Sequence, residues 1–302
     1  MLLRNIAIAI AAAGLLAGPA AAQELTGTLK KIKETGSITI GHRDASIPFS
    51  YYDDKQQPVG FSMDICAQVV EAIKTEIKLP KIDVKYALVT SANRIPLMAN
   101  GTIDIECGST TNNAARQEQV SFTNTHFLTA SRYVTKKAAK IAKIDDLKGK
   151  TVVSTSGTTN IKQLNDVNVE RKLGVNVLPA NGHAEAFLMV ETDRAVAFVM
   201  DDILLASLIA NSKSPGDYQI SADAFSLPEP YGIMLRRDDP AFKRVVDAAT
   251  AKIYKSGEID KIYAKWFQSP IPPKGLNLNV KMDAAMKKAF QNPTDSPDPA
   301  KY

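Results

Sequence analysis

Ser91-Ala-Asn-Arg-Ile-Pro96 and, a little further on, Glu106-Cys-Gly-Ser-Thr-Thr-Asn-Asn-Ala-Ala-Arg116 form the most telling stretch of this chain. Proline is tolerated only in the first turn of a helix, so a short helix starts no more than about a turn before Pro96, and Asn100-Gly101 ends it. Residues 102–106 read as a strand that runs through Ser109-Thr110-Thr111 into a second helix holding Arg116. Two arginines and a run of hydroxyl and amide side chains surround this helix–strand–loop–helix unit. A guanidinium is a rigid fork of donors matched to a carboxylate, and backbone N–H groups at a helix N-terminus favour an anion. The competing reading is local, with Thr111 or Asn112 as an N-cap and Arg116 as a solvated charge. No nucleophile–base pair accompanies these residues. The stretch reads as a place where an acid is held and not transformed.

Working outward, short apolar strands alternate with amphipathic helices. Residues 37–41 and 82–86 read as strands, and Met63, Cys66, Val69, Val70, Ile73 and Ile77 recur at helical spacing between them. A second set follows Ser131–Lys136, with strands at 151–155, 175–178 and 195–200 and helices from Asn160, His183 and Ile203. A strand is predicted at 231–235, and Asp239-Pro240 opens a long helix with Asp as N-cap and Pro at N1. The proline-rich tail from Pro270 is expected to be irregular apart from a helix at 283–290. Such repeated units predict an α/β fold with largely parallel sheets. Two sets imply two lobes joined by two crossings, near residues 131–135 and 227–233, with a ligand cleft between them. The expected division is 23–132 with 231–270 as the first lobe, 133–230 as the second, and 271–302 as a C-terminal extension.

Composition narrows the function. Arg4, the apolar run of residues 6–16 and Ala20-Ala21-Ala22 predict a secretory signal at 1–22, cleaved after Ala22, and hence a periplasmic protein. At 45% hydrophobic and 23% charged the chain is ordinarily globular. Its net charge of +5 is scattered among acids, which argues against nucleic acid as a partner. The mild excess still suits acidic small molecules. His42, His126, His183, Cys66 and Cys107 lie at unrelated spacings, so no metal site is expected. In an oxidising compartment Cys66 and Cys107 could form a bridge; otherwise they are two buried thiols. Ser156-Gly-Thr-Thr159 lacks the lysine of a P-loop, and no cofactor is indicated.

Four further residues draw attention. Arg43 follows a strand, where ligand contacts cluster in α/β folds. Arg94 near a helix N-terminus is misplaced for the helix dipole, the sort of local conflict found at functional positions. Asp201 ends an uncharged strand and reads as a helix cap or as the partner of a ligand ammonium. His183 reads as a helix-start residue or a ligand contact.

At these residues the chain resembles the periplasmic glutamate/aspartate-binding proteins of ABC importers. The resemblance rests on Gly41-His-Arg-Asp-Ala-Ser-Ile-Pro-Phe-Ser-Tyr-Tyr52, Asn93-Arg-Ile-Pro96, Glu106-Cys-Gly-Ser-Thr-Thr-Asn-Asn113, Thr155-Ser-Gly-Thr-Thr159, Arg194-Ala-Val-Ala-Phe198, Met200-Asp-Asp202 and Lys265-Trp-Phe267. It implies a two-lobed type II binding-protein fold, L-glutamate or L-aspartate as ligand, an inner-membrane permease as partner, a monomer, and no catalysis. It also implies roles. Arg116 grips the α-carboxylate with Thr111 and Thr159, while Ser109 and Asp201 hold the α-ammonium. Arg43, Ser91, Arg94 and His183 surround the side-chain carboxylate, and Phe49 packs on the ligand's methylenes. Three arginines against Asp201 leave two net positive charges to meet an acidic amino acid. Two other readings remain on the same fold. A dehydratase-type enzyme would need Glu106 or His183 as general acid or base, and a sensory module would bind and only signal.

Overall fold

The strand Ser37–His42 is buried along almost its whole length, which its run of Ile38, Ile40 and small residues allows. In the computed structural model, which describes residues 24–302, it lies near the middle of a five-stranded sheet. The secretory signal expected at 1–22 lies outside the described residues. Asp83–Leu88 and Ile105–Glu106 flank the strand in parallel, and Met234–Arg236 and Val120–Phe122 complete the sheet in antiparallel register. The second sheet repeats this plan. Thr151–Thr155 sits between Asn176–Ala180 and Ala197–Asp201, both parallel to it, with Ser131–Lys136 and Tyr218–Ile220 beyond. The sheets are thus more mixed than expected. Met234–Arg236 and Ser131–Lys136 arrive from the crossing side, so they run against strands whose carboxyl ends face the cleft.

The crossings form a two-stranded ribbon of their own, Phe127–Thr129 paired with Glu229–Tyr231. Two expectations change here. Ser131–Lys136 is an inner strand of the second sheet and not the crossing itself. The single strand expected at 231–235 is broken at Gly232-Ile233 into pieces serving different sheets. A Cβ at Gly232 would lie 2.9 Å from that of Phe122, so the bend needs a bare backbone.

Helix Phe61–Glu76 packs against helix Pro240–Lys255, burying Ile65, Val69 and Ile73 on one side and Val246 and Ile253 on the other. A disulfide joins Cys66 on the first helix to Cys107, with a Cα separation of 6.3 Å. Asp239 caps the long helix by accepting from the Phe242 N–H, and Asp283 caps Ala284–Gln291 in the same way. The tail is less irregular in its contacts than in its backbone. Asn112 and Gln117 donate to the Asp295 carbonyl at 2.8 and 3.0 Å, and Lys274 reaches the Asn211 carbonyl of the second lobe at 3.1 Å.

Candidate ligand site in the interlobe cleft

Arg116 stands in the short helix Ala114–Gln117, whose cap is Asn113 and neither Thr111 nor Asn112; the Asn113 side chain accepts from the Arg116 N–H at 2.9 Å. Its guanidinium folds back, donating to the Thr111 carbonyl at 2.7 Å and, across the cleft, to the Gly157 carbonyl at 3.2 Å. Thr111 meets Thr159 of the second lobe hydroxyl to hydroxyl at 3.5 Å. The loop is held by the crossing strand: Asn112 N–H donates to Pro230 and Gly232 N–H to Thr110. Burial, then the neighbouring charge of Arg94, draws Arg116 down to about 9. It remains a cation at neutral pH.

A second basic cluster lies beside it. Arg94 donates to the Thr110 hydroxyl at 2.5 Å, and Thr110 donates in turn to Glu106 Oε2 at 2.6 Å. Glu106 Oε1 is 3.9 Å from Arg94 Nη1. Arg43 is buried, with Nε and Nη1 unpartnered, and burial followed by repulsion from Arg94 brings it to about 10. The His183 Nδ1 shares a hydrogen bond with the Thr155 hydroxyl at 2.9 Å. Burial, then Arg43 and Arg94, holds this imidazole well below its ordinary value and therefore neutral. Ser91, Ser109 and Arg94 Nε are buried and unpartnered as well.

Asp201 supplies the opposite charge. It occupies the N-cap position of helix Asp202–Asn211 but makes no capping bond. Its oxygens instead accept from Asn160 Nδ2 at 2.8 Å and from the Tyr231 hydroxyl on the crossing strand. Burial raises its pKa, against the pull of those two donors.

Ser91, Arg94, Ser109, Thr111, Arg116, Thr159, His183 and Asp201 line one small, narrow pocket. Arg43 is not on its wall; it lies behind, among Arg94 and Glu106. Of the other lining residues, Thr158 and Met200 fall within stretches that carry the resemblance, whereas Asn160 and Leu204 carry no signal in their local sequence. Phe49 is a correction. It is fully buried among Phe61, Phe127, Tyr231 and Phe267 and does not line the cavity. A larger open groove is bordered by Lys136, Lys137 and Lys213 and by Lys274 of the tail. It contains none of the buried unpartnered polar groups, and the chemistry belongs to the small cavity.

Residues 38–269 match the bacterial extracellular solute-binding proteins, family 3. The chain belongs to that family. It is 54% identical over 284 residues to the L-glutamate/L-aspartate-binding protein of Pseudomonas aeruginosa, covering 94% of each chain. It is 46% identical to the glutamate/aspartate import solute-binding protein of Escherichia coli, covering 98% of this chain and 99% of that one. A solved structure of a mutant ArgBP from T. maritima superposes with a TM-score of 0.70 at 26% identity, covering 80% of this chain and 99% of that one. Members of this family with such identity to the chain are solute-binding proteins and not enzymes, which removes the dehydratase reading.

Proposed function

We propose that the protein captures L-glutamate or L-aspartate in the periplasm and delivers it, as a monomer, to an inner-membrane ABC permease. The observation that carries this is the set of buried cations with spare donors gathered around one small cavity, with Asp201 as the counter-charge. Arg116, Thr111 and Thr159 hold the α-carboxylate, and Ser109 with Asp201 holds the ammonium. Arg43, Ser91, Arg94 and His183 serve the side-chain carboxylate, with Arg43 acting from behind the wall. The printed names of the relatives from P. aeruginosa and E. coli support the ligand class. The basic and apolar run of residues 1–22 supports export, and the Cys66–Cys107 bridge fits an oxidising compartment.

Charge supports the acidic ligand more closely than the sequence count did. Glu106 is buried beside Arg94, so with His183 neutral and Glu229 holding its proton up to about 7, three guanidiniums face two carboxylates and one net positive charge remains. An acidic amino acid brings one net negative charge and balances it, whereas glutamine leaves a buried charge uncompensated. Calorimetry on ligand-stripped protein should find L-glutamate or L-aspartate bound at least about 100-fold more tightly than L-glutamine. Equal affinity for glutamine refutes the reading.

A further inference from the structure

Glu106 touches neither the cavity nor solvent, yet it sits among the charges that do. We propose that Glu106 sets the charge class of side chain the site accepts: by cancelling one of the two cations Arg43 and Arg94, it tunes the side-chain end of the cavity to a single negative charge and against a double one. The proposal rests on the acidic amino-acid reading above.

The carboxylate is placed with unusual care for a group with no ligand contact. Its strand, Ile105–Glu106, is held on both sides, Glu106 opposing Gly41 on one and Met234 on the other. A Cβ at Gly108 would lie 2.1 Å from Glu106 Oε1, so only a residue without a side chain leaves room for the carboxylate there. Oε2 is engaged through Thr110 to Arg94, while Oε1 faces Arg94 at 3.9 Å and has no hydrogen-bond partner. A group needed only to hold Arg94 in place would do so through Oε2 and the Thr110 hydroxyl, and an amide would serve as well. What an amide cannot supply is the charge. The other ionisable groups around the pocket are His183, kept neutral, Asp201, engaged by Tyr231 and Asn160 on the ammonium side, and Glu229 beside Asp201 and Arg116, which titrates near 7 and acts on both probes through the ammonium and α-carboxylate they share. Glu106 is therefore a positioning residue in the electrostatic sense, acting on the ligand through Arg94 and Arg43.

The test uses ligand-stripped full-length protein with L-glutamate and O-phospho-L-serine as probes, titrated calorimetrically at pH 5.5 and pH 8. The phosphate loses its second proton near pH 6, so one probe offers a side chain of roughly one or two negative charges. In the wild type, phosphoserine should weaken relative to glutamate by at least about tenfold between pH 5.5 and pH 8, the effect of one unit charge about 12 Å away at an effective dielectric near 20, and a larger one at shorter range. Glu106→Gln should reverse the trend, gaining phosphoserine affinity relative to glutamate at pH 8 on the order of tenfold. Glu106→Asp should keep the wild-type pattern. If Glu106→Gln shifts both probes by one common factor, its role is packing alone and the proposal is overturned. Should that variant not fold, the wild-type pH trend decides: a ratio that does not fall with pH overturns the proposal. Failure of the wild type to bind glutamate at either pH would instead remove the acidic amino-acid reading.

Discussion

Replacing Arg116 by lysine keeps a cation in the cleft and removes the fork. In the structure the guanidinium spreads its two terminal nitrogens between Thr111, on its own lobe, and Gly157, on the other. A carboxylate lying between the lobes can be met by both at once, and an ammonium meets it at one point. A hydrogen bond to a charged group contributes about 1.5–3 kcal/mol, so losing one arm should weaken binding by roughly ten- to hundredfold. Arg116→Ala loses both arms and should weaken it by a further factor of similar size. The decisive feature is uniformity. Arg116 serves the α-carboxylate that all amino acids share, so calorimetry should show glutamate, aspartate and glutamine declining by one factor. Arg94→Ala is the contrasting arm, because it takes a cation from the side-chain end and narrows the gap between glutamate and glutamine. The reasoning fails if Arg116→Lys binds glutamate within twofold of the wild type, or if it loses glutamate while sparing glutamine.

Gly157 has φ +76° and turns its α-carbon toward the backbone of Ser91 and Ala92, where a Cβ would come within 2.5 Å. Gly157→Ala should hold the lobes apart and cost at least tenfold in affinity, while the melting temperature of the ligand-free protein shifts by only a few degrees; unchanged affinity would rule out this contact as a closing surface. Glu229 lies on the crossing strand, where burial, followed by the charge of Asp201, lifts it from 4.5 to about 7. Its folded value exceeds its unfolded one, so the stability it contributes is present below the unfolded value and is lost as pH rises through about 7, up to about 3 kcal/mol. Glu229→Gln should accordingly raise the melting temperature at pH 8 and not at pH 4, and an equal shift at both would refute it. The Cys66–Cys107 bridge spans a sequence separation of 41, which corresponds to about 4 kcal/mol of chain entropy. A Cys66→Ser, Cys107→Ser double variant should lose stability of that order in urea unfolding, and no loss would count against it.

Features set by near neighbours were legible in the sequence. Asp239-Pro240 announces its helix because both the cap bond and the proline ring act within one turn. The strand Thr151–Thr155 was read to the residue, since turn chemistry marks both its ends. Of the ten ligand contacts the resemblance implied, eight line one pocket, and Ser109, Thr111 and Arg116 among them also stand out locally as hydroxyls and an arginine just after a strand. What stayed hidden depends on distant parts of the chain. Tyr231 reads as a strand residue, and nothing beside it announces a bond to Asp201, thirty positions away. Glu106 looked like a candidate acid because its partner Arg94 becomes its neighbour only through folding. Phe49 shows the reverse error: one aromatic after a loop fits a ligand wall or a core equally well, and the rings of Phe61, Phe127 and Phe267 decide for the core.

Cys107 lies between Glu106 and Gly108, at the start of the run that presents Ser109, Thr111 and Arg116. Its disulfide ties that run to helix Phe61–Glu76, from which it is otherwise separate in the chain. Inside a reducing cell the tie is absent. The run then keeps the Ser62 hydroxyl bond to the Gly108 carbonyl at 2.8 Å and the Asn112 N–H bond to Pro230, so reduction removes a constraint on the unfolded chain and leaves these holds on the site in place.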